Sequence, residues 1–182
     1  MKLTANQRLF WIGFTVFALD QLTKQAVLRF LGTHEEREVI VGFFKFVHWK
    51  NTGAAWSLFS SMDGSSKVLA AVSGLAFVAL LWFRKHFGSE SRLGQLALGL
   101  VFGGIVGNFC DRLFLNHVVD FIRFYLRTRS GEEMGFPAFN IADSGICVGV
   151  GLLFVMSWFA ESNKEAAAKA DPAKASVNGG GT

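Results

Sequence analysis

The chain has 182 residues, of which 51% are hydrophobic and 18% are charged, and its formal net charge is +4. A soluble domain of this length could not bury so much apolar surface, and ordinary soluble proteins are ~25% charged, so the composition indicates a membrane protein. The basic residues lack the clustering of nucleic-acid-binding domains, and two cysteines in apolar segments exclude a disulfide framework.

Four long apolar runs predict four transmembrane helices, because a helix of ~17–25 residues spans the hydrocarbon layer. The runs cover residues 9–31, 68–83, 93–115 and 139–160. A signal peptide is the alternative for the first run, since Lys2 and Arg8 precede it. Asp20 and Lys24 stand where such a segment would carry a small-residue cleavage site, so we favour a membrane span.

The loop after the first span, residues 32–67, is rich in β-branched and aromatic residues between Glu38 and Lys50. That composition predicts one or two strands. Aromatic rings favour the membrane interface, so we expect a small sheet lying on the membrane surface. A hairpin in solution is the alternative.

Glycines are spaced four residues apart on the third and fourth predicted helices. They are Gly99, Gly103 and Gly107 on the third, and Gly145 and Gly149 on the fourth. Such spacing lets helix backbones approach closely in a membrane. We therefore interpret both faces as packing surfaces, in preference to a ligand cradle.

Orientation in the membrane rests on the loops, because lysine and arginine are enriched in short cytoplasmic loops. The numbers of lysine and arginine residues on the two sides of the membrane are nearly equal. However, Arg84, Lys85 and Arg92 are concentrated in the short connection between the second and third predicted helices. This predicts that both termini are cytoplasmic. Residues 161–182 contain few bulky apolar side chains, which predicts a frayed helix passing into a disordered cytoplasmic tail.

Ionisable residues inside membrane spans are costly and are by default functional hypotheses. Asp20 and Lys24 are four residues apart on one helix face, and mutual neutralisation explains them without any chemistry. Asp111 and Arg112 are adjacent, which predicts a local ion pair.

Asp120 and Asp143 lie near span ends and have no evident cationic partner in the sequence. Two carboxyl groups held close together cannot both ionise, so one becomes a base and the other an acid at neutral pH. The pair is suited to peptide hydrolysis, in which the ionised group activates water and the protonated group stabilises the oxyanion.

Other chemistries have weaker support. A serine hydrolase would contain a Gly-x-Ser-x-Gly turn, and a zinc peptidase would contain a His-Glu-x-x-His helix. Neither motif is present in the sequence. Cys147 has no histidine on its helix that could activate it as a thiol nucleophile.

A small transporter, in which the intramembrane carboxylates form an ion path, is an alternative, but we find no inverted repeat that would support it. A purely structural scaffold is disfavoured by the number of intramembrane polar groups.

Five motifs occur in order along the predicted spans and loops. They are Asp20-Gln-x-x-Lys24, Asn51-Thr-Gly-Ala-Ala-Trp56, Gly104-Ile-Val-Gly-Asn-Phe-Cys-Asp-Arg112, Val118-Val-Asp-Phe-Ile122 and Phe136-Pro-Ala-Phe-Asn-Ile-Ala-Asp-Ser144. With these motifs the chain, from about Leu9 to Ala160, resembles the signal peptidase II family, the lipoprotein signal peptidases of bacterial inner membranes.

The resemblance implies an aspartic endopeptidase that removes signal peptides from prolipoproteins and cuts before the cysteine that carries a diacylglyceryl group. By motif match, Asp120 and Asp143 are its catalytic pair. Residues implied to bind substrate or to position the pair are Asn51, Gly53, Asn108, Arg112 and Asn140. Residues implied to support the site are Asp20, Lys24 and Asp111.

The implied architecture is a mainly α membrane protein in which residues 1–160 form one peptidase domain. It has four transmembrane helices, a small extracytoplasmic β-sheet, and a short helix near residues 54–62 after the first span. The active site is expected near the periplasmic face, in contact with membrane lipid. Neither a metal nor a cofactor is implied, no nucleic acid is expected as a partner, and no motif for self-association is visible, so we expect a monomer. Residues 127–133 extend beyond the compact family pattern, and the conformation of that loop is not predicted.

Overall fold

The computed structural model describes residues 3–53 and 65–170, and this part of the chain contains four helices and four strands. In chain order these are α1 (Ala5–Phe30), β1 (Glu36–Ile40), β2 (Phe44–Asn51), α2 (Ser65–Phe83), α3 (Arg92–Phe114), β3 (Val118–Arg127), β4 (Glu133–Gly135) and α4 (Ile141–Ala170). The predicted short helix near residues 54–62 and the tail from residue 171 onward lie outside the described residues.

Helix α3 is the centre of the helical bundle, and α1, α2 and α4 each pack against it. The glycines of α3 make this possible. A Cβ atom at Gly99 would collide with Ile12 of α1, and one at Gly104 would collide with the backbone of Ala142 in α4. The glycine faces are therefore packing surfaces, as predicted, and α3 uses them toward two neighbours at once.

Three of the helices in the described residues have the length and apolar composition to cross a membrane. Their apolar stretches are Ser66–Phe83, Arg92–Phe114 and Ile141–Asn163. Large apolar side chains on α2 and α4, including Trp82 and Trp158, point away from the bundle and are exposed. Such surfaces are suited to contact with lipid. Helix α1 is 26 residues long but is not among these three, and it buries Asp20 and Lys24 against its neighbours.

The sheet is antiparallel, with strand order β1-β2-β3-β4. Strands β1 and β2 are those predicted after the first helix. Strands β3 and β4 were not predicted, and they come from the connection between α3 and α4. The loop at residues 127–133 closes a β3–β4 hairpin, with Gly131 at φ +86° in the left-handed region that glycine adopts without strain.

An ion-pair cluster fixes this hairpin to the rest of the sheet. Lys45 of β2 is buried and bridges Glu36 of β1 at 2.5 Å and Glu133 of β4 at 2.7 Å. Burial alone would lower the pKa of Lys45, but its hydrogen bonds to Glu133 and Glu36 outweigh that effect and raise it. Arg127 of β3 adds bonds to Glu133 and Glu38. The four strands therefore form one connected unit.

Helix α4 is longer than the predicted span at residues 139–160, since it continues to Ala170. The run Glu165-Ala-Ala-Ala-Lys169 consists of strong helix formers, which accounts for the extension.

Candidate active site

Asp120 and Asp143 come together where three elements meet: the end of α3, the start of β3 and the start of α4. Both carboxyl groups bond to the same residue, Asn140. The Asn140 side-chain amide donates to Asp120 Oδ1 at 2.8 Å, and its backbone N–H donates to Asp143 Oδ2 at 3.2 Å. One fully buried asparagine thus sets the positions of both carboxyl groups.

The start of α4 explains how Asp143 is held. Asn140 precedes the helix as its N-cap, and its Oδ1 accepts a hydrogen bond of 2.9 Å from the backbone N–H of Asp143. Asp143 in turn accepts from the backbone N–H of Asn140, so the two form a reciprocal capping box. A carboxylate in the first turn of a helix also interacts favourably with the helix dipole. The same local geometry therefore starts the helix and fixes the position of the Asp143 carboxyl group.

Asn108 of α3 supports Asp143 from a second direction. Its side-chain amide donates to Asp143 Oδ1 at 2.7 Å. Its own oxygen accepts from Lys24 Nζ at 2.9 Å and from Asn140 Nδ2 at 3.2 Å. Because Lys24 can only donate, these bonds determine which way the Asn108 amide faces.

Asp120 is 3% exposed and accepts a second hydrogen bond, of 2.9 Å, from Asn51 Nδ2 of β2. Gly53 N–H donates to Asn51 Oδ1 at 3.1 Å, which closes a turn that orients the asparagine. Burial raises the pKa of Asp120 to about 7, the negative charge of Asp143 adds to the rise, and the bonds from Asn51 and Asn140 oppose it. Near pH 7 this carboxyl group is therefore divided between its two protonation states.

Arg112, which the family resemblance implied at the site, supplies positive charge beside the two carboxyl groups. Its guanidinium interacts electrostatically with Asp143 most strongly, then with Asp120. The predicted ion pair between Asp111 and Arg112 is wrong, because Asp111 pairs with Lys24 at 2.8 Å. Adjacent residues on a helix point about 100° apart, and the two side chains accordingly face different neighbours.

A buried charge cluster lies behind the two carboxylates. Lys24, 1% exposed, pairs with Asp20 and with Asp111, each at 2.8 Å, so the predicted neutralisation of Asp20 by Lys24 is confirmed and has a third member. Asp20 Oδ1 accepts from the backbone N–H of Ala142 in α4, and Asp111 Oδ2 accepts from that of Val119 in β3. The cluster therefore bonds to the two segments that carry Asp143 and Asp120.

Gln21 is part of the Asp20-Gln-x-x-Lys24 motif but is not among the predicted site residues. Its side-chain amide donates to Asp111 Oδ1 at 3.0 Å and to the Gly107 carbonyl at 3.3 Å, so it joins α1 to α3 beside the cluster. The available signal was a third polar residue next to Asp20 in an otherwise apolar helix.

The arrangement can perform acid–base chemistry on a water molecule and a carbonyl group. The pKa of Asp120 is near neutrality, and Asp143 accepts hydrogen bonds from the Asn108 side chain and the Asn140 backbone N–H. Such a pair can share one proton and exchange its location during a reaction. Within residues 3–53 and 65–170, no group of three or more His, Cys, Asp or Glu side chains is placed to hold a metal ion.

Comparison with known proteins gives a consistent result. A family model described as signal peptidase II matches residues 12–159. The chain is 37% identical over 158 residues to the lipoprotein signal peptidase of Syntrophotalea carbinolica, covering 87% of this chain and 95% of that protein. It is 42% identical over 156 residues to the lipoprotein signal peptidase of Shewanella loihica, and the match covers 85% of this chain and 88% of that protein. The solved structure of a bacterial membrane enzyme is 31% identical in sequence and superposes with a TM-score of 0.73. The match covers 86% of this chain and 90% of that enzyme's chain.

Proposed function

The chain belongs to the signal peptidase II family, and on this premise we propose that Asp120 and Asp143 are its two catalytic residues. As a member of the family it is an aspartic endopeptidase that removes signal peptides from prolipoproteins, cutting before the lipid-modified cysteine. The observation that supports the assignment most directly is the bonding of Asn140 to both carboxyl groups.

The two carboxyl groups divide the chemistry between them. Asp143, held by amide donors at a helix N-terminus, takes a proton from water, and the water oxygen attacks the scissile carbonyl carbon. Asp120, protonated because it is buried, donates to the carbonyl oxygen and stabilises the tetrahedral intermediate. The proton on Asp143 then passes to the leaving nitrogen as the peptide C–N bond breaks. Asp120 regains its proton when the new carboxyl product forms.

The surrounding residues position the catalytic pair and the substrate. Asn108 and Asn140 hold the carboxyl groups, and Asn51 with the Gly53 turn holds Asp120 from the sheet. Arg112 compensates the single negative charge that the pair carries when it holds one proton, which favours this state over the one with both carboxyl groups protonated. The supporting residues, which act through those in contact with the catalytic pair, are Asp20, Lys24 and Asp111.

We place the active site at the periplasmic face of the bacterial inner membrane. The end of α3 and the start of α4 lie beside the sheet, and a diacylglyceryl-cysteine substrate cannot leave the bilayer. Helix α1 packs along α3, which can itself cross the membrane, so we infer that α1 is the fourth span. Both termini are then cytoplasmic, residues 1–160 form the peptidase domain, residues 161–182 form the tail, and the chain acts as a monomer.

The first prediction tests the catalytic pair. Purified protein in lipid nanodiscs should cleave a diacylglyceryl-modified prolipoprotein, measured by the mobility shift of the product. Asp120→Asn and Asp143→Asn should each reduce turnover by roughly 10³-fold or more, because each loses a group that transfers protons in the reaction. Folding is checked by the thermal melting curve.

Ser144→Ala and Cys147→Ala are matched controls on α4, one and four residues after Asp143. Each removes a potential nucleophile and should leave turnover close to that of the wild type. An aspartate variant that keeps wild-type turnover would remove that residue from the mechanism. Loss of activity only in the serine or cysteine variant would replace the aspartic assignment.

A further inference from the structure

An apolar groove lies between α1 and α2, with α3 as its floor, and has a volume of about 370 Å³. Phe102 and Gly103 of α3 form the floor, and Phe14 and Phe77 line the two walls. Phe14 is about half exposed, so the groove opens outward from the bundle. Among the residues that the structure describes, Asn6 and Arg84 are the only polar side chains that line the groove.

These two polar residues are at one end of the groove. Asn6 is in the first turn of α1 and Arg84 directly follows the end of α2, whereas Phe17 and Val106 line the groove deeper in the bundle. Along α1 the lining residues from Asn6 to Phe17 extend over roughly 16 Å at ~1.5 Å per residue. One leaflet of hydrocarbon is about half of the ~30 Å core, so the groove has the depth of a single leaflet.

The groove is on the opposite side of the protein from the active site. Arg84 lies in the connection between α2 and the start of α3, while Asp120 of β3 and Asp143 of α4 lie beyond the other end of α3. Because α3 has the length to cross a membrane, the two sites face different leaflets. The Arg84 side chain forms no ion pair and no hydrogen bond with any residue that the structure describes.

The dimensions and chemistry of the groove restrict what can occupy it. A helix is roughly 10–12 Å in diameter, so a helical segment as long as the groove would occupy much more than its volume of about 370 Å³. Residues 171–182 contain no aromatic or long aliphatic side chain that would fill it. Apolar walls do not hold ordered water. A hydrocarbon chain fits the walls, and an unpaired cation at the membrane interface attracts a lipid phosphate.

We propose that this groove is a binding site for an anionic glycerophospholipid of the leaflet opposite the active site. One acyl chain lies between α1 and α2, and the phosphate contacts Arg84 and Asn6. The site is separate from the catalytic pair and does not depend on the assignment of the catalytic residues.

The test measures retained lipid by native mass spectrometry of the full-length protein, released from nanodiscs that contain equal amounts of phosphatidylglycerol and phosphatidylcholine. The wild type should retain one phosphatidylglycerol in preference to phosphatidylcholine. Arg84→Gln should reduce that preference roughly fivefold, the effect of one interfacial cation. Arg92→Gln is the matched control, because Arg92 is exposed on the same side and does not line the groove.

A second pair of variants tests the groove itself. Leu81→Trp fills the groove and should abolish retention of the lipid, whereas Leu75→Trp places the same side chain on an exposed position of α2 away from it. Melting curves and peptidase turnover show that each variant is folded. Equal retention of the two lipids by the wild type would overturn the proposal, as would equal effects within either variant pair.

Discussion

Asp120 occupies an environment that suits its chemistry and reduces the stability of the fold. Burial and the charge of Asp143 raise its pKa from 3.8 to about 7. A carboxyl group whose pKa is higher in the folded than in the unfolded state resists ionisation in the fold. Below about pH 4 the group is protonated in both states, and the free energy of unfolding has its full value. As the pH rises from there through about 7, the unfolded chain ionises more readily than the fold, and this part of the free energy of unfolding is lost.

This linkage predicts that Asp120→Asn becomes more stable relative to the wild type as the pH increases. The asparagine loses one hydrogen bond at every pH, but it avoids an ionisation cost of up to about 4 kcal/mol, at ~1.4 kcal/mol for each of about three pKa units. Melting temperatures in detergent at pH 5 and pH 8 measure the difference. Ser144→Ala should show no such pH dependence, and a pH-independent difference for Asp120→Asn would contradict the assigned environment.

Lys24 is the cation on which the buried cluster depends. It neutralises Asp20 and Asp111 and orients the Asn108 amide. Removing one partner of a buried ion pair leaves an uncompensated charge, which costs about 3–5 kcal/mol. Lys24→Met should therefore lower the melting temperature strongly and reduce turnover. The control is Lys50→Met, since Lys50 is exposed on β2.

A combined variant separates charge burial from positioning. Lys24→Met with Asp20→Asn and Asp111→Asn carries no buried charge in the cluster, so most of the lost stability should return. Turnover should stay low, because the Asn108 amide no longer has its lysine donor. If the single Lys24→Met variant melts at the same temperature as Lys50→Met, the cluster does not stabilise the protein.

At the scale of elements, the start of α4 combines helix capping with the geometry of the site. Ser91 caps α3 in the same way, accepting from the backbone N–H of Gly94 at 2.9 Å. Replacing the N-cap Ser91 with alanine should cost about 1 kcal/mol. Asn140→Ala should cost more, because it also removes the buried donor to Asp120 and Asn108. Of the two caps, Asn140 alone bonds to Asp120 and Asp143, the proposed catalytic residues.

Asn140→Ala and Ser91→Ala therefore form a matched pair. We expect both variants to melt at a lower temperature, Asn140→Ala more so, and a loss of turnover of at least roughly 10²-fold in Asn140→Ala alone, because misplaced catalytic groups slow the reaction. Both quantities are measured on the same purified samples. Equal turnover in the two variants would show that Asn140 acts only as a cap.

At the scale of the whole molecule, the prediction concerns which side of the membrane holds the active site. The β3–β4 hairpin and the α2–α3 connection are at opposite ends of α3. In a variant without Cys110 and Cys147, a cysteine at exposed Ser130 should react with a membrane-impermeant thiol reagent added to intact spheroplasts. A cysteine at His86, also exposed, should react only after permeabilisation. The reverse pattern would place the active site in the cytoplasm and contradict the proposed orientation.

Local pattern was sufficient for several features of this protein. Apolar runs located α2, α3 and α4, β-branched and aromatic residues located β1 and β2, and glycine spacing indicated the packing faces of α3. Each of these signals depends on residues within a few turns of one another. The pairing of Asp20 with Lys24 could be predicted from the sequence for the same reason, since residues four apart share a helix face.

Contacts between distant segments were decided only by the tertiary structure. Strand β3 pairs with β2, Lys24 pairs with Asp111 in place of Arg112, and Asn140 joins Asp120 to Asp143. The partner of a charge or a strand depends on how neighbouring elements are rotated and spaced. In this protein the rotation and spacing of the helices are set by close packing at the glycines: a Cβ at Gly107 would collide with Asp20 Oδ2 and would lie tightly against Ala142. No short-range pattern contains that information, because it arises from three helices packed together.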